Sequence, residues 1–156
     1  MELSVLTGDI AAQSVDAVVV NLFEDVDTPG GGTGAVDAAL GGAINSLIAN
    51  GEIKGSRGEI TVIHAIGDAY AGFAPDRVLV AGLGKSEDFD LDGVRSVSAI
   101  VARRLRRLNV ESAATIVHGA EIDGLDPGAS AEALAEGAIL GLYRFDKYRT
   151  SSKPKF

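Results

Sequence analysis

Cysteine and tryptophan are missing from this chain of 156 residues, methionine occurs once and histidine only twice. The lack of cysteine excludes a disulfide scaffold, a thiolate zinc site and a cysteine nucleophile, and makes the cytoplasm the expected compartment. The two histidines, His64 and His118, each lack a second histidine or a carboxylate at metal-ligand spacing such as His-Glu-x-x-His. They read as packed or strand-end histidines, and no metal is expected in this chain. No serine stands in Gly-x-Ser-x-Gly, so nucleophilic catalysis has no visible residue and the expected catalytic set is empty. No apolar run approaches the ~18 residues that cross a bilayer, so no membrane partner is expected. Glu2 and Asp9 flank the opening apolar stretch, which argues against a signal peptide.

What the chain does contain is a globular composition: 46% hydrophobic and 23% charged residues, with mean hydropathy +0.20. Its length suits one domain with a single real core. Charge is divided unevenly. Residues 1–92 carry four basic side chains (Lys54, Arg57, Arg77, Lys85) against fifteen acidic ones, whereas residues 93–156 carry ten against seven. The total of −8 and a pI near 4.7 would repel a phosphate backbone from most of the surface, so nucleic acid is not an expected partner.

The hydropathy pattern alternates strands with helices. Glu2–Leu6 reads as a short first strand, closed by the turn Thr7-Gly8-Asp9. Residues 16–23 (DAVVVNLF), 59–65 (EITVIHA) and 77–83 (RVLVAGL) have the continuous β-branched character of strands buried on both faces. Ala113–His118 is a further strand. Glu24–Gly34, acidic and then glycine-rich, predicts a loop, and Val36–Ile48 a single helix stopped by Asn50-Gly51. A second helix starts at Asp90 as N-cap, with Phe89 and Val94 spaced as a hydrophobic staple and Val94, Val97, Val101, Leu105 and Leu108 as its core stripe. A last helix runs over Pro127–Tyr148, with Leu134, Ala138, Leu142 and Phe145 on one face. This predicts an α/β domain, a sheet between two helix layers. Beyond Tyr148 the chain is polar and basic, as a linker would be.

Several motifs carry candidate chemistry. Pro29-Gly30-Gly31-Gly32-Thr33-Gly34 precedes a helix, so its amides and the helix dipole could receive a phosphate. Glu24, Asp25 and Asp27 intervene between it and the preceding strand and oppose that reading. Gly82-Leu83-Gly84-Lys85-Ser86 resembles the end of a Walker A loop, but Leu79 stands where its first glycine belongs, and a strand-end turn accounts for it better. The acidic groups Glu24-Asp25-Asp27 and Glu87-Asp88-Asp90-Asp92 lack calcium-loop spacing. Arg103, Arg104, Arg106 and Arg107 fall at a helix C-terminus, where they complement the dipole. Gly137 and Gly141, one turn apart, allow close backbone contact inside the domain or across an interface.

Four segments together resemble the N-terminal domain of the leucyl (cytosol) aminopeptidases: Asp16–Asp25 (DAVVVNLFED), Leu40–Gly58 (LGGAINSLIANGEIKGSRG), Arg77–Lys85 (RVLVAGLGK) and Ala131–Tyr148 (AEALAEGAILGLYRFDKY). The last is the most specific. The resemblance implies a macro-domain-like, three-layer α/β/α fold with a mixed, mostly parallel sheet over residues 1–148, and residues 149–156 as the start of a linker. It also implies a non-catalytic role in assembly and regulation. Peptide hydrolysis would belong to a C-terminal catalytic domain of the same polypeptide, absent from this chain, that holds two zinc or manganese ions; the whole enzyme would be a cytoplasmic hexamer. The macro-domain likeness implies an alternative, an ADP-ribose- or nucleotide-binding module. There Asp9 would meet adenine, and Gly30, Gly31, Gly32, Thr33 and Gly34 would cradle phosphates. Asparagines of that pattern would stand at Val20 and Phe23, and neither side chain can replace the lost hydrogen bonds.

Overall fold

The computed structural model describes residues 1–143. Its centre is a sheet of four strands, β1 (Ala17–Phe23), β2 (Ile60–His64), β3 (Arg77–Gly84) and β4 (Ala113–Thr115), in the order β2-β3-β1-β4. β1 pairs in parallel with β3 and with β4, while β2 runs antiparallel to β3 at the edge. β1 and β3 are buried on both faces. β2 has the same apolar composition but no buried residue, its first four being half-buried and His64 exposed, since an edge strand has a neighbour on one side alone. Periodicity cannot distinguish the two positions.

The period of two sorts β1 and β3 between two cores. Val18, Val20, Leu22, Val78 and Val80 pack against Val36 of α1 (Gly31–Ala39), Leu40 at its end and Ile44 of α2 (Ala43–Ala49). Ala17, Val19, Leu79, Ala81 and Leu83 face α3 (Leu91–Arg107) and α4 (Pro127–Leu142) through Val94, Val97, Val101 and Ala133. The result is the three-layer arrangement expected from the sequence. α3 opens as its sequence dictates: Asp90 accepts the Gly93 amide at 2.8 Å, and both staple residues, Phe89 and Val94, are buried. Asp126 caps α4 in the same way, through Ala129.

Five expectations need correction. Glu2–Leu6 forms no strand; these residues are exposed, Val5 by 90%. Residues Gly31–Gly34 are not loop but the first turn of α1, closed by the Gly34 amide on the Gly30 carbonyl at 2.8 Å. Val36–Ile48 is two helices, because Gly41 and Gly42 take left-handed φ (+65° and +84°) and Asp37 turns back to cap α2 at the Ile44 amide, 2.7 Å away. The strand expected over Ala113–His118 pairs only to Thr115. That short strand is anchored by Asp16, which accepts the amides of Glu111 and Ser112 at 3.0 and 2.9 Å; these bonds hold its carboxyl below the usual range. The last helix, expected over Pro127–Tyr148, ends at Leu142, where Tyr143 turns out of helical geometry (φ −59°, ψ 131°); Phe145, Tyr148 and the linker 149–156 lie outside the described residues.

Gly137 and Gly141 act within the domain. A Cβ at Gly137 would fall on the Arg95 carbonyl, and one at Gly141 would stand 2.7 Å from Ala99 Cα, so α4 crosses α3 at backbone distance. Gly137→Ala is therefore expected to lower stability by about 2–3 kcal/mol in urea unfolding, since neither backbone can yield without moving its helix. Ser98, whose buried hydroxyl has no hydrogen-bond partner, should behave in the opposite sense. Ser98→Ala is expected to leave the unfolding midpoint unchanged or raise it, because it removes an unsatisfied polar group.

Candidate functional site

In a sheet with parallel strands, ligand sites form outside the carboxyl ends of those strands. Here the carboxyl end of β1 meets three segments distant in sequence. Thr33, buried in the first turn of α1, donates its hydroxyl to the Asn21 carbonyl at 2.8 Å. That bond draws the glycine segment onto the sheet. Gly32 lies so close to Ile116 and Ile10 that a methyl group would not fit, and Gly31 has a left-handed φ of +52°. The Asp9 side chain accepts the Ala11 amide at 2.9 Å and caps the short 3-10 turn Ile10–Ala12 packed against α1. The structure thus brings the Asp9 turn and Gly30–Gly34 to one place, as the sequence-predicted site requires.

Beside them lie residues that sequence reasoning did not group. The Asn21 amide stands 3.1 Å from His118 Nδ1, and His118 is 1% exposed. Burial pushes its pKa down from 6.5 to about 4. With the amide donating to Nδ1, the imidazole is neutral and its proton sits on Nε2. Glu121, three residues further on, presses its carboxylate against Gly31, where a Cβ would collide with it. A negative group therefore already stands against the first turn of α1, where a phosphate would come. Of the two places expected for His118, packed or at a strand end, the structure shows the first: it is buried in a turn three residues beyond Thr115, where β4 stops, and its partner Asn21 lies 97 positions away with no local signal.

A second, open cleft of about 410 Å³ adjoins the ends of β1 and β3, lined by Glu24, Asp25, Lys85, Ser86 and Glu87. It joins two acidic groups that are separate in sequence. Asp25 accepts both the hydroxyl and the amide of Ser86, the hydroxyl bond being the stronger cause of its lowered pKa. The amides of Gly82 and Gly84 donate to Glu59 and Gly55 carbonyls, so this segment is a strand end and not a phosphate loop. Asp27, Asp88, Asp90 and Asp92 do not line the cleft. Among the described residues no three His, Cys, Asp or Glu side chains gather closely enough to hold a metal ion. His64 is exposed at the end of β2, paired in register with Arg77. Arg106 reaches the Leu142 carbonyl at 3.1 Å and so caps α4 from α3.

The His118 environment gives a pH dependence of definite sign. Because the folded pKa is depressed, the unfolded chain binds the extra proton, and stability falls as pH drops from 6.5 towards 4. Between pH 7.5 and 5 this group should remove about 2 kcal/mol. Urea unfolding of His118→Gln is expected to lack that part of the acid loss; an unchanged pH slope would contradict the assignment.

Residues 19–152 match the profile described as the cytosol aminopeptidase family, N-terminal domain. The "Probable cytosol aminopeptidase" of Alkaliphilus metalliredigens is 32% identical over 153 residues, 98% of this chain but 30% of that protein's length. Among solved structures, a tomato leucine aminopeptidase mutant superposes with a TM-score of 0.67 at 20% identity, over 90% of this chain and 28% of that one. The macrodomain of Mycobacterium tuberculosis DarG superposes with a TM-score of 0.64 at 19% identity, over 86% and 88%. At such identities the superpositions speak for the fold alone. The sequence matches speak for descent, and this chain belongs to the cytosol aminopeptidase family, of which it is the N-terminal domain.

Proposed function

We propose that this chain serves as the non-catalytic, assembly and regulatory domain of a leucyl aminopeptidase that releases N-terminal residues from peptides. The observation that carries the reading is coverage: the match takes in 98% of this chain and only 30% of the Alkaliphilus protein. The catalytic machinery then belongs to a C-terminal domain of the same polypeptide, which would hold two divalent ions, zinc or manganese, in a cytoplasmic hexamer. The N-terminal domain would span residues 1–148 and the linker would begin at 149. No described helix is long and apolar enough to cross a membrane.

The expected outcome is simple to check. Residues 1–156, supplied with Mn²⁺ or Zn²⁺, release no leucine from a chromogenic leucyl amide, while the polypeptide carrying the catalytic domain does so. Metal-dependent turnover by the shorter chain would overturn the reading.

A second reading, an ADP-ribose- or nucleotide-binding module, is favoured by the meeting of the Asp9 turn with Gly30–Gly34 at the carboxyl end of β1. It is opposed by the carboxylate of Glu121 at Gly31. Calorimetric titration with ADP-ribose is expected to give no heat of binding. A micromolar dissociation constant that weakens on Asp9→Ala would establish the module instead.

A further inference from the structure

We propose that the joined carboxyl ends of α3 and α4 form the docking face for the catalytic domain of the same polypeptide, which would meet them with an apolar patch edged by carboxylates. The inference rests on the domain reading given above. Ile139, Leu140 and Tyr143, exposed by 55, 70 and 72%, all fall at the end of α4. Gly137 lies against Arg95 and Gly141 against Ala99, so the two helices run in the same direction and finish at the same end of the domain. Arg106 ties them there through the Leu142 carbonyl.

Arg103, Arg104 and Arg107 stand on the same last turns of α3. Among the described residues the ion pairs all belong to Arg95, with Asp92 and Glu136, so none of these three arginines meets a carboxylate. The helix dipoles favour cations at this end, but a dipole end corresponds to only roughly half a charge, so several positive charges remain uncompensated. Exposed apolar side chains beside arginines are the composition of an interface.

Charge and chain order together select the occupant. A second copy placed by a two-fold axis would set arginines against arginines. The catalytic domain follows this domain in the family's chain order, so it is tethered beside this end of α4. Covalent attachment makes the contact intramolecular, which lets a smaller patch hold than two separate proteins would need.

Hydrogen exchange on the polypeptide carrying both domains, compared with residues 1–156, tests this. The last turns of α3 and α4 are expected to exchange about tenfold more slowly in the longer protein. Leu140→Glu with Tyr143→Glu should abolish that difference, while the exposed positions leave the melting of residues 1–156 nearly unchanged. Arg103→Glu with Arg107→Glu should reduce it as well. Equal exchange in the two proteins would overturn the proposal. So would concentration-dependent dimers of residues 1–156 that Leu140→Glu dissociates, because the occupant would then be a second copy. The domain reading is judged separately, by leucyl-amide hydrolysis in the unaltered two-domain polypeptide.

Discussion

The parallel pairing of β1 with β3 is the contact on which the remainder of the domain depends. From Ala17 to Val20 and from Val78 to Ala81 neither strand is more than 1% exposed, so each backbone amide and carbonyl there must find its partner within the sheet. The pairing also sets which side chains reach which helices. Val18, Val20, Leu22, Val78 and Val80 lie towards α1 and α2, while Ala17, Val19, Leu79, Ala81 and Leu83 lie towards α3 and α4. A slip of one residue would exchange the two sets and bring bulk against the closely crossed helices. Asp16 at one end of β1 ties it to Glu111 and Ser112 before β4, and Thr33 on the Asn21 carbonyl near the other end ties it to α1.

That constraint explains what the sequence made legible. β1, β3 and α3 are visible as patterns because burial alone selects their residues, and periodicity records burial. The first turn of α1 is invisible for the converse reason. Glycine has poor helix propensity, and Gly31–Gly34 are helical because Thr33 is bonded to the sheet and Ile116 and Ile10 leave no room for side chains. The break between α1 and α2 is hidden because Val36, Leu40 and Ile44 keep helical spacing across it and all enter one core. The chain turns at Gly41 and Gly42 without changing the face it buries. Glu2–Leu6 errs in the other direction: its composition suits a strand, but pattern cannot supply the neighbour that a strand needs.

At the site, the residue types named from sequence do come together, but the decisive groups come from elsewhere. Asp9 and Gly30–Gly34 were legible as a turn and a glycine run. Asn21, His118 and Glu121 join them only through the parallel crossover that sets β4 beside β1. Their chemistry runs against anion binding. The imidazole is neutral, and a carboxylate stands at Gly31. The adjoining cleft carries Glu24, Asp25 and Glu87 against Lys85 alone. A fold shared with macrodomains does not by itself bring a shared ligand, since a fold supplies places and side chains supply recognition.

The same electrostatics separate the two ends of the domain. Acidic side chains collect at the carboxyl ends of β1 and β3, whereas the arginines collect where α3 and α4 finish. Close approach of the helices at Gly137 and Gly141 is what makes that second surface continuous, because a wider crossing would part the Arg106 side chain from the Leu142 carbonyl. Cationic charge near a helix C-terminus is stabilising in itself, which accounts for arginine there in general. It does not account for Ile139, Leu140 and Tyr143 facing water beside it, since exposed apolar side chains return nothing to the stability of an isolated domain. Their position is explained by contact with something outside the described residues, and that requirement links the packing of two helices to the work of a longer polypeptide.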